Sequence, residues 1–106
     1  MPEKLNSNSS YGQYCPLALA AELLCRRWTI LIISRLIDGC TSFNEIHAGV
    51  PRISPTLLST RLSELIQAGI VKRRRPGGTG RYVYEVTQAG QDLENIITNM
   101  AIWAQH

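Results

Sequence analysis

Between Ser42 and Thr87 the chain places helix starts and stops so close together that few folds accommodate them. Ser42-Phe43-Asn44-Glu45 is a capping box, in which the serine hydroxyl and the glutamate side chain each satisfy an orphan backbone amide. The helix it opens is short, because Gly49 follows. Ser54-Pro55 then opens another: serine is a good N-cap, and proline fits the next position, where its missing N–H is unneeded. Leu58, Leu62 and Leu65 line one face of that helix, with Leu57 and Ile66 beside them. At about 100° per residue, Thr56, Ser59, Thr60, Ser63 and Gln67 fall on the opposite half, and Gly69 ends the helix. Residues 70–75 and 81–87 read as two strands. Pro76-Gly77-Gly78-Thr79-Gly80 between them permits the backbone angles of a hairpin. Tyr82, Tyr84 and Val86 share one face of the second strand.

Helices flank this block. Pro16 suits a first turn, and residues 17–26 are apolar almost throughout, which predicts a largely buried first helix. Residues 28–37 repeat the pattern, with Trp28, Leu31, Ile32 and Leu36 at helical spacing and Gly39 as the stop. Thr87 caps one last helix from residue 88 to about 104. Its stripe is Leu93, Ile96, Ile97, Met100 and Trp103. Residues 1–14, rich in Asn, Ser and Gly, read as a flexible tail. Residues 15–106 then form one domain, mainly α with a small β-hairpin.

Composition narrows the function. The chain has 106 residues, 44% of them hydrophobic, enough for one modest core and small for a catalytic domain. The longest apolar run, residues 28–33, is interrupted by Thr29 and falls far short of the roughly 20 residues of a membrane span. The N-terminal residues lack an apolar signal segment, so a cytoplasmic protein with no membrane partner is expected. Three cysteines exclude a fully paired disulfide scaffold, and their spacing matches no common zinc pattern. No metal site, cofactor motif or catalytic constellation is read, and no residue pattern defines a small-molecule effector site.

The net charge of +3 is unevenly spread: residues 52–81 hold seven basic residues and one acid, a local balance of +6, which leaves −3 for the rest. A charge run alone fits a solvated face. Here it lies on a short capped helix, a tight turn, an amphipathic helix and a hairpin, the order of a winged helix-turn-helix. The outer face of the second helix carries small hydroxyls and amides rather than Lys and Glu, so it can approach phosphates and base edges closely. This makes double-stranded DNA the expected partner, with that helix in the major groove. The candidate DNA residues are Arg52, Ser54, Pro55, Thr56, Ser59, Thr60, Arg61 and Ser63, with Arg73, Arg75 and Arg81 on the wing. Arg61 lies beside the apolar stripe, so an ion pair with Glu64 or a neighbouring helix is its alternative. Arg81 adjoins the wing tip and suits a narrow minor groove. Lys72 and Arg74 should face away from Arg73 and Arg75, and Trp28 should sit in the core.

The ordered motifs resemble the HxlR-type winged helix-turn-helix transcriptional regulators, relatives of the MarR group. They are Cys15-Pro16, Arg27-Trp28-Thr29, Ser42-Phe43-Asn44-Glu45-Ile46, Ile53-Ser54, Arg61-Leu62, Gly69-Ile70-Val71, Tyr84-Glu85-Val86-Thr87 and Trp103. Cys25-Arg26 stands where the family usually has two glycines, and the wing lacks a proline often found before its second strand. The resemblance implies a homodimeric regulator, often a repressor, whose terminal helices form the dimer interface. Leu17, Leu93, Ile96, Ile97, Met100 and Trp103 are the residues expected there. Trp103 agrees independently, since a small monomer has little core left at the chain end to cover it. Two-fold symmetry then predicts a palindromic operator.

Several members of this family sense oxidants or electrophiles at the Cys-Pro position. Cys15 is the redox-sensing candidate, placed where a helix dipole favours the thiolate. Its alternative is an inert buried thiol, and Cys25 and Cys40 read as small core residues. The competing function is a winged-helix protein-interaction adaptor without sequence-specific DNA binding. A thiol-dependent enzyme built on Cys15 is disfavoured, because no base is recognisably arranged around it.

Overall fold

The computed structural model describes residues 15–106. The expected N-terminal tail lies outside them. Helix α1 spans Pro16–Leu24, α2 Thr29–Ile37, α3 Phe43–Gly49 and α4 Pro55–Gln67. Strands β1 (Val71–Arg74) and β2 (Val83–Val86) follow, then α5 (Gln88–Gln91) and α6 (Glu94–Ala104). The mainly helical fold with one small hairpin is the expected one.

The core is where α2, α3, α4 and β1 meet. Ile32, Ile33 and Leu36 come from α2, Ile46 from α3, Leu58, Leu62 and Leu65 from α4, and Ile70 and Val71 from the start of the wing. Val50 and Ile53 bring the α3–α4 turn into the same cluster. Local chemistry sets each boundary. The Glu45 amide donates to Ser42 Oγ at 3.1 Å, and Glu45 Oε1 accepts from the Ser42 and Thr41 amides, each at 3.1 Å. These bonds, the Ser42 amide foremost, hold the Glu45 carboxyl below the usual carboxylate range. At the far end of α4, Gly69 takes φ +78° while the Ile70 amide donates to Leu65 O and the Gly69 amide to Ile66 O. That is a Schellman stop, and it turns the chain straight into β1. His47 Nε2 donates to Ile53 O at 2.9 Å and closes the α3–α4 turn.

The strands pair antiparallel in the register Val71↔Val86, Lys72↔Glu85, Arg73↔Tyr84 and Arg74↔Val83. Both are shorter than the sequence suggested, because Gly77, Gly78 and Gly80 all take positive φ and open the loop before the ladder reaches it. The Tyr84 amide donates to Thr41 O at 2.8 Å, which ties the wing to the segment entering α3. Thr87 Oγ1 donates to Gly69 O at 2.6 Å and accepts from the Gly90 amide at 3.3 Å, so the cap of α5 also anchors it to β1.

Three expectations need correction. The last helix is two: α5 ends at Gln91 and α6 begins at Glu94. Gly90 is buried with a bare Cα face against the Ile70 carbonyl, which pins α5 to the wing while α6 turns to pack on α2. Helix α1 is apolar but not enclosed: Leu19 alone is buried, while Leu17 is 76% exposed. Cys25, expected in the core, is exposed at the end of α1; Cys40 is half-buried against the core.

Replacing Ser42 by Ala should cost about 1 kcal/mol in chemical denaturation, the usual worth of such a cap. The Glu45 carboxyl is depressed in the folded state, so its contribution is present at neutral pH and lost as pH falls through the acid range. The difference in Tm between wild type and Glu45→Gln should therefore shrink on acidification; a constant difference would contradict the cap. Gly90→Ala should destabilise by about 1–3 kcal/mol, since a Cβ there collides with the Ile70 carbonyl oxygen. An unchanged denaturation midpoint would show that this approach is not constrained.

Candidate nucleic-acid interface

Helix α4 presents two chemically distinct sides. Leu58, Leu62 and Leu65 have at most 1% exposure and hold its inner side against the core. Thr56, Ser59, Thr60, Ser63 and Gln67 are exposed on the other side, as are Arg52, Ser54 and Pro55 at its entrance. Two of these hydroxyls also serve the helix. Ser54 Oγ accepts from the Leu57 amide at 3.0 Å as the N-cap, and Thr60 Oγ1 donates to Thr56 O at 3.1 Å. The outer face offers short side chains on a helix that cannot roll, because its inner stripe is locked.

Arg61 behaves differently from its neighbours. Its side chain is 16% exposed, with Nε donating to Arg27 O at 2.9 Å and Nη1 donating to Glu64 at 3.2 and 3.3 Å. Arg26 Nη1 donates to the same carboxylate at 3.0 Å. The ion-pair alternative is therefore the one observed, and Arg61 clasps α4 to the corner between α1 and α2. At that corner Trp28 takes φ +79°, a left-handed conformation costing about 1–2 kcal/mol for a residue with a Cβ. It is held by the clasp, by the Arg27 guanidinium 4.9 Å above its ring and by its own packing on the core. Sequence periodicity places Trp28 near the core but gives no sign of the corner geometry; for Arg26, which in sequence fits either a phosphate or an acid, the partner observed is the acid Glu64.

The wing divides its charge between two sides. Arg74 donates to Glu85 at 2.8 and 3.3 Å, and this pairing holds the Glu85 carboxyl down and the Arg74 guanidinium up in pKa. On the other side the guanidiniums of Arg73 and Arg75 each lie 4.3 Å from the centre of the Tyr82 ring. The opposition of Arg74 to Arg73 and Arg75 is as expected from the strand period. Arg81 is exposed and lines a shallow cleft of about 310 Å³ with Ser42, Phe43, Asn44 and Tyr82. The end of the wing loop thus borders the first residues of α3.

A second surface lies on α6. Ile96, Met100 and Trp103 are 52%, 47% and 79% exposed and line one apolar concavity with Asn99 and Ala104. Leu17 on α1 is exposed as well. Leu93 and Ile97, expected on the same interface, instead turn inward and pack on the chain's own core. Helix α6 lies with one side on α2, which takes Leu93 and Ile97 inward and leaves Ile96, Met100 and Trp103 outside. Ile102 and Leu31, absent from the expected set, are also exposed. Cys15 is exposed at the N-cap of α1. Among the described residues no group of three or more His, Cys, Asp or Glu could hold a metal ion, and no helix is long and apolar enough to cross a membrane.

A short capped helix, a tight turn, an amphipathic helix with a polar outer face and a cationic hairpin together define a winged helix-turn-helix domain. The chain belongs to the HxlR-like helix-turn-helix family, whose model matches residues 23–106. It is 37% identical over 95 residues to YvaP, an uncharacterized HTH-type transcriptional regulator of Bacillus subtilis, covering 88% of each chain. It is 39% identical over 92 residues to the HTH-type transcriptional regulator YodB of the same organism, covering 85% of this chain and 82% of YodB. The structure of reduced YodB superposes with a TM-score of 0.74 over 85% of this chain and 90% of that one. YodB has also been solved quinone-bound and diamide-treated. HypR, a redox regulator, superposes in its reduced form with a TM-score of 0.78 at 28% identity, over 86% of this chain and 91% of HypR. The family is thus one of transcriptional regulators with redox-responsive members.

Arg61→Ala should destabilise the domain by about 1–3 kcal/mol, because it leaves Glu64 and the Arg27 carbonyl without these bonds. Ser59→Ala, on the exposed face, should stay within about 0.5 kcal/mol of wild type. Equal denaturation midpoints for the two variants would contradict the clasp.

Proposed function

We propose that this chain is a cytoplasmic, homodimeric transcriptional regulator, a repressor that binds a palindromic operator in double-stranded DNA and does no catalysis. The observation that carries this reading is the pairing of a locked, hydroxyl-rich outer face on α4 with Arg73, Arg75 and Arg81, which are exposed and lie outside the ion pairs formed among the described residues. Helix α4 enters the major groove with Ser54, Pro55 and Thr56 foremost, and Ser59, Thr60 and Ser63 follow along the groove. Arg52, Arg73 and Arg75 meet backbone phosphates, and Arg81 reaches the adjacent minor groove. Arg61 acts from behind, by fixing α4 to the α1–α2 corner. A second copy covers Ile96, Met100, Trp103 and Leu17, which as a cluster of exposed large apolar side chains favours burial. Two α4 helices then face half-sites about one helical turn apart, or a multiple of that.

Cys15 adds a redox response to this reading. Its exposure makes the thiol reachable, and its place at the start of α1, beside Leu17, couples it to the proposed dimer surface. Oxidation of a thiol pair containing Cys15 by diamide, which takes up the two electrons and two protons released, would alter dimer geometry and lower DNA affinity. Relatives that are redox regulators support this part of the reading.

The test is an anisotropy titration of the full chain on the DNA upstream of its own gene and on unrelated DNA, at two salt concentrations. The expected result is tighter binding to the upstream fragment, saturating with two chains per site and weakening steeply with salt. Diamide should lower that affinity in wild type and leave Cys15→Ser unaffected. Weak binding equal on both DNAs and insensitive to salt would favour the protein-interaction adaptor instead. An equal diamide response in Cys15→Ser would remove the sensing role and leave the regulator intact.

A further inference from the structure

We infer that Tyr82 is the positioning residue of the wing: its ring gathers Arg73 and Arg75 into one two-charge unit that takes DNA backbone phosphate. The inference rests on the DNA-binding reading above and adds a residue to it. Arg73 and Arg75 share one side of β1, and Tyr82, at the end of the loop, lies on the same side as Tyr84, the cross-strand partner of Arg73. Both guanidiniums lie 4.3 Å from the Tyr82 ring centre, so they stand within twice that distance of each other. Two cations that close repel. The negative face of an aromatic ring offsets that repulsion and orients the guanidinium plane.

The contrast with Arg74 gives the arrangement its meaning. Arg74 is held by the Glu85 carboxylate, which neutralises it and occupies its Nε and one Nη2 donor. A ring holds a guanidinium without neutralising it, because the contact uses the face of the ion and leaves the donors on its edge. Arg73, Arg75 and Tyr82 are all exposed, and the ion pairs described above use Arg26, Arg61 and Arg74 instead. Arginine loses much rotamer freedom when it docks on a phosphate. Two arginines already resting on one ring have given up part of that freedom before binding. Tyr82 also lines the cleft shared with Ser42, Phe43 and Asn44 at the start of α3, so the unit sits where the end of the wing loop borders the helix-turn-helix.

The experiment is fluorescence anisotropy of the full chain with a labelled mixed-sequence duplex of about 30 base pairs, since phosphate contacts need no operator. The variants are Tyr82→Phe, Tyr82→Ala, Arg73→Ala/Arg75→Ala and the triple substitution, each checked for an intact thermal transition. Tyr82→Phe, which keeps the ring, should bind within about twofold of wild type. Tyr82→Ala should bind about fivefold or more weakly at low salt. In the background lacking both arginines, Tyr82→Ala should cost less than about twofold, because the ring then has nothing to position. An equal loss with and without the arginines would overturn the inference in favour of a direct or purely structural role for the tyrosine. Wild-type affinity in Tyr82→Ala would overturn it alone, leaving DNA binding standing. Failure of the wild-type chain to bind the duplex at all would overturn both readings together.

Discussion

Leu58, Leu62 and Leu65 are almost wholly withdrawn from water, and a helix pinned along such a stripe has no freedom to rotate about its axis. Everything that α4 presents outward follows from that burial, since the residues about half a turn away have only one direction left. The same stripe meets Ile32, Ile33 and Leu36 of α2 and Ile46 of α3, so one cluster sets both the rotation of α4 and its angle to the shorter helix. Ile70 and Val71 extend this cluster into β1. The wing therefore starts from the core rather than from a loose linker, and the Schellman stop at Gly69 gives it one direction of departure.

Polar contacts then sort the arginines, and the sorting is by partner. Arg61 and Arg26 converge on Glu64, and Arg61 also holds the Arg27 carbonyl, which makes these charges part of the architecture. Arg74 is closed by Glu85. Arg73 and Arg75 rest on an aromatic ring. A positive balance concentrated in residues 52–81 in sequence thus becomes, in three dimensions, a set of internal ties plus a set of charges turned outward.

The α1–α2 corner links the two surfaces that the proposed function uses. Helix α1 carries Cys15 and Leu17 at one end and Arg26 beyond the other, and Arg26 reaches α4 through Glu64. Trp28 stays in a left-handed conformation there because the clasp and its packing over-determine it. A movement of α1 against a second copy would therefore be felt at the helix proposed to read DNA. This gives the proposed thiol response a physical route to the proposed interface.

The sequence by itself determined the elements, their order and the inner side of α4. A capping box, N-cap hydroxyls, prolines at N1, glycine stops and period-of-helix leucines are local signals, and local signals survive any tertiary arrangement. It also separated Arg74 from Arg73 and Arg75, since strand alternation needs no neighbour. What only the tertiary structure decided were the residues whose role depends on chain far away in sequence. Arg61 reads in sequence as a phosphate contact with an ion pair as its alternative, and only the fold brings Glu64 and the Arg27 carbonyl within its reach. Leu93 and Ile97 share one helical stripe with Ile96 and Met100 in sequence, yet the side of α6 that lies on α2 takes the first two inward. Cys25 reads as a small core residue in sequence, yet it is exposed at the end of α1 among the described residues. Tyr82 was one of two tyrosines on a strand face, and its contact with two guanidiniums exists because the pairing of β2 with β1 brings it beside Arg73 and Arg75. Periodicity fixes which side of an element a residue occupies, whereas the identity of what meets that side is settled by packing between segments distant in sequence.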